Sequence, residues 1–586
     1  MVLVGSAYAV ACGSSGTPDE TPAPIAEAGT SSGPDGEPGP LDAEADADVG
    51  TPDVQDGSPS DAEGDADADA SLSDAGSDAD GDASLSDAGS DADADASLSD
   101  AGADADAGPA PEPPTIIAGA ADRILLIGTI VSPEIIVEGQ VLVEGALITC
   151  VGPGTTCAAS PGAVGATVID TKGIIAPGLV DTHNHILFDI FDNDDWTPAQ
   201  VYTNHNAWTN ELRYQAMLDV KQCLANDSQG KPAWCDVTTY GTAAGSLRCE
   251  MDKYGELKGL IAGTTSIVGL PGTSAGCFSS LARSIDVAQN GIGTDKTQTS
   301  AIFPPSKASA DGVCGNFTSL KTDAYLIHCG EGTDANALAE FTKLGTVSTT
   351  QQCLYAPQTA ITHGTAFTPT EFATMAASGM KLTWSPRSNV SLYNETTNIP
   401  AALDAGVVVA LGPDWSMGGS QNMLDELRFA KSWSDGKWGG RLSAKDLVVM
   451  GTLNGAKVVA LDTKIGRVEQ GALADLAVFV GDRAKPYDAI VGAHPKEVRL
   501  VMVGGTVLYG DKALEPAAPA LPGCETIDIC GTSKFLCVAT TSSTSKLDQT
   551  YANIKATLDQ ALVTADGLTP GDGWDFAPVT PLVTCQ

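Results

Sequence analysis

Between residues 173 and 462, short apolar runs rich in β-branched residues alternate with longer stretches at helical spacing, and that alternation leaves few folds open. Gly263 to Val268, Ala324 to Ile327, Ala360 to Thr362, Met380 to Trp384 and Val407 to Leu411 read as buried strands. Hydrophobicity that runs on rather than alternating marks strands covered on both faces, as in a parallel sheet. Pro369 to Ser378 and Met423 to Trp433 carry helical spacing among them. Repeated strand–helix units over about 290 residues predict an α/β chain whose centre is a (β/α)8 TIM-like barrel, with functional residues at the C-terminal strand ends.

The barrel is flanked by β-rich sequence on both sides. Arg123 to Gly128, Gln140 to Glu144 and Ala146 to Thr149 precede it; Ala477 to Val480 and Val498 to Gly505 follow it. Gly and Pro turns separate these runs. The two blocks, 115–172 and 463–515, are expected to be halves of one small β-sandwich, with 173–462 as the barrel between them. Residues 516–586 form a cysteine-containing C-terminal extension with one expected helix, from Lys546 to Val563, and no functional reading.

Four of the six histidines fall at expected strand ends. The first segment is Pro177-Gly178-Leu179-Val180-Asp181-Thr182-His183-Asn184-His185. In a strand, residues two apart point to one side, so His183 and His185 aim both imidazoles into one space. Nitrogen ligands on a rigid element suit a metal ion. A lone His-x-His more often marks polar residues closing a strand; three further strand ends tell against that here. They are His328-Cys329-Gly330-Glu331-Gly332, Thr362-His363-Gly364 and Leu411-Gly412-Pro413-Asp414. His205 and His494 lack such surroundings and read as structural or solvated.

Charge is segregated. Residues 1–114 hold 28 of the 75 acidic side chains and no lysine or arginine, which leaves the rest of the chain at a net −16 out of −44. Ser71-Leu72-Ser73-Asp74-Ala75-Gly76 recurs at Ser84 and Ser97 between Asp-Ala runs. Such a segment buries almost nothing and repels itself, so 13–114 is expected to be a disordered acidic linker. Carboxylates alternate there, but the glycine-turn spacing of calcium loops is missing. So acidic a chain has no electrostatic footprint for nucleic acid.

Residues 1–12 are mostly apolar or small and end in Ala9-Val10-Ala11-Cys12, similar to a bacterial lipoprotein signal with a lipid on Cys12, although a basic start and a Leu three residues before the cysteine are missing. No other stretch is long and apolar enough for a membrane helix. The expectation is an exported protein, tethered to the bacterial envelope (outer membrane or periplasm) only through Cys12. Fourteen cysteines favour the same compartment. With Cys12 lipidated and Cys329 free, twelve remain for up to six disulfides of open connectivity, buried free thiols being the alternative.

The four strand-end motifs, in this order, resemble the amidohydrolase superfamily, in its cytosine/guanine-deaminase-like and triazine-hydrolase-like branch. Ser385-Pro386-Arg387-Ser388-Asn389, Thr452 to Ala456 and Gly466 to Leu476 resemble further segments of that branch. The likeness covers roughly 120 to 512, and it is weakest over 186–325. It implies a metal-dependent hydrolase of non-peptide C–N bonds, a deaminase or a cyclic amide or amidine hydrolase, using a metal-activated water on a small, N-heterocyclic substrate. Removal of another leaving group such as halide, or a surface binding protein on the same fold, are the alternatives.

By position, His183, His185, His328 and Asp414 resemble the ligands of one divalent ion, zinc or else iron. The two-metal members need a lysine at the end of the fourth strand, and Lys296, Lys307 and Lys321 sit in polar surroundings instead. The likeness gives His363 and Asp414 the orientation and deprotonation of water, and Glu331 the delivery of a proton. Arg387, Ser388 and Asn389 are expected on a loop over the metal as substrate contacts, Arg387 toward an anion or carbonyl of the substrate or else in a structural ion pair, and Trp415 as a wall of the substrate pocket.

Overall fold

The computed structural model describes residues 111–585 apart from 134, 227–230, 236–244, 270–280, 287–295, 301–302, 521–522, 540–547 and 570–572. Cys12, the acidic repeats, Cys277 and Lys546 lie outside the described residues. The chain begins with β1 (Thr115–Ile117), β2 (Ala120–Ser132), β3 (Ile135–Glu144), β4 (Leu147–Pro153) and β5 (Ala166–Pro177). β2 pairs antiparallel with β3 from Arg123–Glu144 to Ser132–Ile135, and β3 with β4.

Gly178 then passes the chain straight into the barrel. A Cβ at this position would lie 2.1 Å from the Thr265 hydroxyl oxygen, so only glycine lets the two strands approach. The barrel strands are β6 (Leu179–Asp181), β7 (Thr264–Ile267), β8 (Arg283–Ser284), β9 (Thr297–Ser300), β10 (Ala324–Cys329), β11 (Thr359–His363), β12 (Lys381–Trp384) and β13 (Val408–Leu411). They pair in parallel as two sets, β6-β7-β8 and β9 through β13. The Thr182 backbone N–H and hydroxyl both donate to the Leu411 carbonyl, at 3.3 and 2.9 Å, and join β13 to β6. Neighbouring residues of one strand serve different cores: Leu326 packs with Val180, Ala360 and Ala410, while Ile327 packs with the helix-facing side chains. That two-sided burial is why these strands read as unbroken apolar runs.

The helices fall between the strands. Pro369–Ser378 starts at a Thr368–Glu371 capping box with Pro369 in its first turn and stops at Gly379, φ +71°. Met423–Trp438 runs one turn past its expected end, to Gly439 in the left-handed region.

After the barrel come β14 (Leu476–Phe479), β15 (Val498–Val503) and β16 (Thr506–Asp511). β14 pairs antiparallel with β5, Leu476 opposite Pro177 and Phe479 opposite Ile174, which stitches the two flanks together. With β17 (Glu525–Ile529) and β18 (Thr532–Leu536) they build one continuous ten-stranded sheet, order β17-β18-β16-β15-β14-β5-β2-β3-β4 with β1 on β5. Leu126, Val141, Ile175, Leu500 and Phe535 fill its core. Its outer strands, β17 and β18, come from the segment beyond 516, which is therefore part of the sheet. The helix expected over 546–563 instead spans Tyr551–Leu568, because the Thr550 hydroxyl caps it by accepting from the Asn553 N–H. It lies on helix Arg248–Ile261, where Lys253 Nζ donates to Gln549 at 3.0 Å and the rings of Tyr254 and Tyr551 stack.

Five disulfides are described: Cys150–Cys157, Cys223–Cys235, Cys314–Cys353, Cys524–Cys537 and Cys530–Cys585. Cys249 is also disulfide-bonded, and Cys329 is free and buried. Cys524 and Cys530, close in sequence, thus pair with other partners. The Cys530–Cys585 link spans 55 residues and pins the last residues to the sheet. Chain entropy assigns a closure of that length about 4 kcal/mol. Replacing both cysteines by serine is expected to lower the unfolding midpoint by calorimetry; an unchanged midpoint would show that this link does not restrain the unfolded chain.

Candidate active site

The site is built across the seam between β6 and β13. His183 and His185 sit just past β6 rather than within it, in an extended segment whose Asn184 forms a parallel bridge to Asp414. The Asp414 N–H donates to the His183 carbonyl at 2.9 Å and the His185 N–H to the Asp414 carbonyl at 2.6 Å, so the alternation that aims both rings inward is preserved. The Asp181 carboxylate secures the turn, accepting from the His183 N–H and from Asn184 Nδ2, both at 3.0 Å. Gly412 is required here, since a Cβ would fall 2.6 Å from the His183 nitrogen. His328 lies in β10, its Nδ1 3.1 Å from the Ser300 carbonyl, which makes Nδ1 the donor and leaves the Nε2 lone pair inward.

The donor atoms converge. His183 Nε2 is 2.9 Å and His185 Nε2 3.5 Å from Asp414 Oδ1, and the Nε2 atoms of His185 and His328 are 3.3 Å apart. The candidate donor atoms of His183, His185 and His328, and separately those of His183, His363 and Asp414, all lie within 4.8 Å of one another. Burial drives the imidazoles toward their neutral form: His183 and His328 to about 3, His185 and His363 well below the ordinary value. Burial raises Asp414. His183 Nε2 is buried with no hydrogen-bond partner. Neutral imidazole lone pairs crowded on a buried carboxylate, one of them orphaned, are what a divalent cation satisfies and what the protein alone does not.

His363 differs from the other three. Asn389 Nδ2, a donor only, lies 3.0 Å from His363 Nδ1, so that nitrogen accepts and the neutral ring carries its proton on Nε2. Its Nε2 is 3.8 Å from Glu331 Oε2. Glu331 follows β10 after Gly330 and is buried, and burial pushes its carboxyl up to about 7. Tyr393 donates to Glu331 Oε1 at 2.7 Å.

Arg387, Ser388 and Asn389 occupy helix Pro386–Tyr393 instead of the expected loop. Ser388 Oγ donates to Asp414 Oδ2 at 2.6 Å, so Ser388 and Asn389, both fully buried, brace the residues that converge at the site. Arg387 is turned away: its Nε donates to Ser420 Oγ at 3.0 Å and its guanidinium covers the Phe429 ring at 4.8 Å. Trp415 does stand beside the site, its ring 5.5 Å from that of His185. Trp208 (5.3 Å), Trp196 (5.8 Å) and Phe188 (6.0 Å) pack around Trp415. These aromatics and Tyr393 lie outside the sequence motifs; Trp196 sits in irregular chain and Trp208 ends the four-residue helix His205–Trp208, so no periodicity marks either tryptophan. His205 bonds Glu340 at 2.7 Å, and the His494 N–H donates to Glu497. Burial raises the Cys329 thiol well above its ordinary range, which suits a packed side chain and not a nucleophile.

The amidohydrolase family model matches residues 324–508. A 5-methylthioadenosine/S-adenosylhomocysteine deaminase of Haloarcula marismortui is 26% identical over 432 residues, 66% of this chain and 93% of that protein. A 5'-deoxyadenosine deaminase of Methanosarcina mazei is 24% identical over 410 residues, 64% of this chain and 88% of that one. Among solved structures, a mutant atrazine chlorohydrolase of Arthrobacter aurescens TC1, complexed with zinc and atraton, superposes with a TM-score of 0.50 at 16% identity, covering 68% of this chain and 96% of that one.

Proposed function

The chain belongs to the amidohydrolase superfamily, and from that premise we propose that it removes an amino group hydrolytically from a nitrogen heterocycle of the aminopurine kind. The observation that carries this reading is the orphaned His183 Nε2, set against Asp414 among imidazoles that burial keeps neutral. His183, His185, His328 and Asp414 would hold one divalent ion, and zinc is the ion in the atrazine chlorohydrolase structure. A second ion has no support at the end of β9, where among the described residues no lysine stands. Bound there, the ion supplies a Lewis acid that brings the pKa of a water toward neutrality.

The chain's own residues do the rest. Asp414, braced by Ser388, accepts the proton of the attacking water, and His363, fixed by Asn389, presents its Nε2–H to orient it. Glu331, neutral below about 7, gives its proton to the ring nitrogen as water adds across the C=N bond; the proton taken by Asp414 then leaves with the amino group as ammonia, and the hydroxyl proton of the adduct restores Glu331. The aromatic wall of Trp415, Trp208 and Phe188 suits a flat, uncharged ring. Purified protein loaded with zinc should bind about one equivalent and release ammonia from aminated purine nucleosides in a screen that also holds pyrimidines, triazines and cyclic amides. Full metal loading with no ammonia from any of them would overturn the reading.

The placement of the enzyme is part of the same proposal: an exported protein, anchored by a lipid on Cys12 and held off the membrane by the acidic linker. The leader sequence and the several disulfides support it. Expressed with its full leader in a Gram-negative host, the protein should take up a palmitate label that Cys12→Ser abolishes. An unlabelled, cytosolic wild type with titratable thiols would sink this placement.

A further inference from the structure

Glu331 is approached by a buried chain of two hydrogen bonds that plays no part in holding a metal. Trp208 Nε1 lies 3.0 Å from the Tyr393 hydroxyl oxygen, which lies 2.7 Å from Glu331 Oε1. All three side chains are buried. An indole N–H can only donate. The Tyr393 oxygen must therefore accept from Trp208, and its own hydrogen must point to Glu331. Burial and the neighbouring Glu331 charge hold that phenol well above its ordinary pKa, so it stays a donor.

With Oε1 occupied as an acceptor, the proton of a neutral Glu331 belongs on Oε2, the oxygen that faces His363 at 3.8 Å. We propose that Tyr393, oriented by Trp208, is a positioning residue that fixes the Glu331 carboxyl and keeps its transferable proton on the oxygen facing the catalytic centre. The inference rests on the proton-carrying role of Glu331 proposed above.

The backbone leaves this chain little freedom. The His205 N–H donates to the Glu331 carbonyl at 3.2 Å, Asn204 bridges Gly332, and the Thr333 N–H donates to the Thr203 carbonyl at 2.7 Å. The Tyr202 N–H reaches the Leu392 carbonyl at 2.8 Å, one residue before Tyr393. The segment that supplies the indole is thus tied both to the Glu331 turn and to the end of the helix that supplies the phenol. Trp208 is clamped further by the rings of Trp415 and Tyr214, at 5.3 and 5.0 Å.

Tyr393→Phe removes one oxygen and keeps the ring that fills the space. On an amine substrate that the zinc-loaded wild type turns over, kcat should fall roughly tenfold with KM changed less than about twofold, the signature of a group needed for the reaction step. In a Glu331→Gln background the same substitution should cost nothing further, because the proton it positions is gone. Equal losses in both backgrounds would reduce Tyr393 to packing and overturn the proposal.

A second readout needs no substrate. At a pH one unit below the Glu331 value of about 7, the infrared carboxyl stretch that Glu331→Gln removes should move to higher wavenumber in Tyr393→Phe, as a carbonyl does when it loses a donor. A band that stays in place overturns the positioning even if ammonia is released. A band that moves in a protein releasing no ammonia overturns the deaminase reading and leaves the positioning intact.

Discussion

His183→Ala and Asp414→Ala are each expected to yield a folded protein that keeps far less than one equivalent of divalent metal and has no measurable turnover. The two side chains meet at 2.9 Å, and both are almost fully buried. Without His183, the nitrogen that has no other partner is gone, and two imidazoles with one carboxylate remain. Without Asp414, only neutral donors are left, Ser388 loses its acceptor, and nothing offsets the charge of a cation in a buried space. Either change should be visible first in metal content, then in rate. His363→Ala is the informative contrast. Its Nδ1 is engaged by Asn389 and its Nε2 carries the proton, so this variant should retain the ion and lose activity. Full metal occupancy in His183→Ala or Asp414→Ala, at an unchanged melting temperature, would remove them from the ligand set; loss of metal in His363→Ala would add that residue to it.

Much of this site is legible in the sequence for a simple physical reason. A buried parallel strand needs apolar residues on both faces, so Ala324 to Ile327, Ala360 to Thr362 and Val407 to Leu411 announce themselves, and a polar residue closing such a run stands out. His328 and His363 are found that way, and Asp414 three residues past its strand. What the helix after β12 does with Ser388 and Asn389 is not legible, because sequence tells that they are near the site but not which way they face. They look inward at Asp414 and His363, while Arg387, the residue whose charge attracts a substrate assignment, is drawn outward by Ser420 and Phe429. The aromatic wall is invisible for another reason. Trp196 lies in irregular chain and Trp208 ends a helix of four residues, His205–Trp208, too short for a periodicity to read, and only tertiary packing brings them to Trp415. β17 escapes because it is an edge strand: Glu525 to Ile529 alternates half-buried and exposed positions and carries two acidic residues, so its sequence reads as polar surface.

Glu331→Gln should separate chemistry from architecture. Glutamine has the length and shape of glutamate, and its amide oxygen can accept from Tyr393 as Oε1 does at 2.7 Å. Its amino group takes the place of Oε2 near His363, so packing and the four metal-site residues should be undisturbed. What the variant lacks is a proton that can leave. Burial holds the native carboxyl at about 7, where it is able both to keep a proton and to give it up; an amide can do neither at that pH. The rate should therefore fall by about 10²-fold or more, with metal content and melting temperature as in the wild type. Glu331→Asp sharpens the interpretation. Aspartate keeps an acid but is one methylene shorter, so it gives up the reach to Tyr393 and to the reacting atoms, and it too should be slow. If Glu331→Gln turns over at near-normal rate while Glu331→Asp does not, the side chain is a spacer that holds the helix of Tyr393 in place, and the proton must come from elsewhere. If both are slow and both keep the metal, the acid and its position are each required.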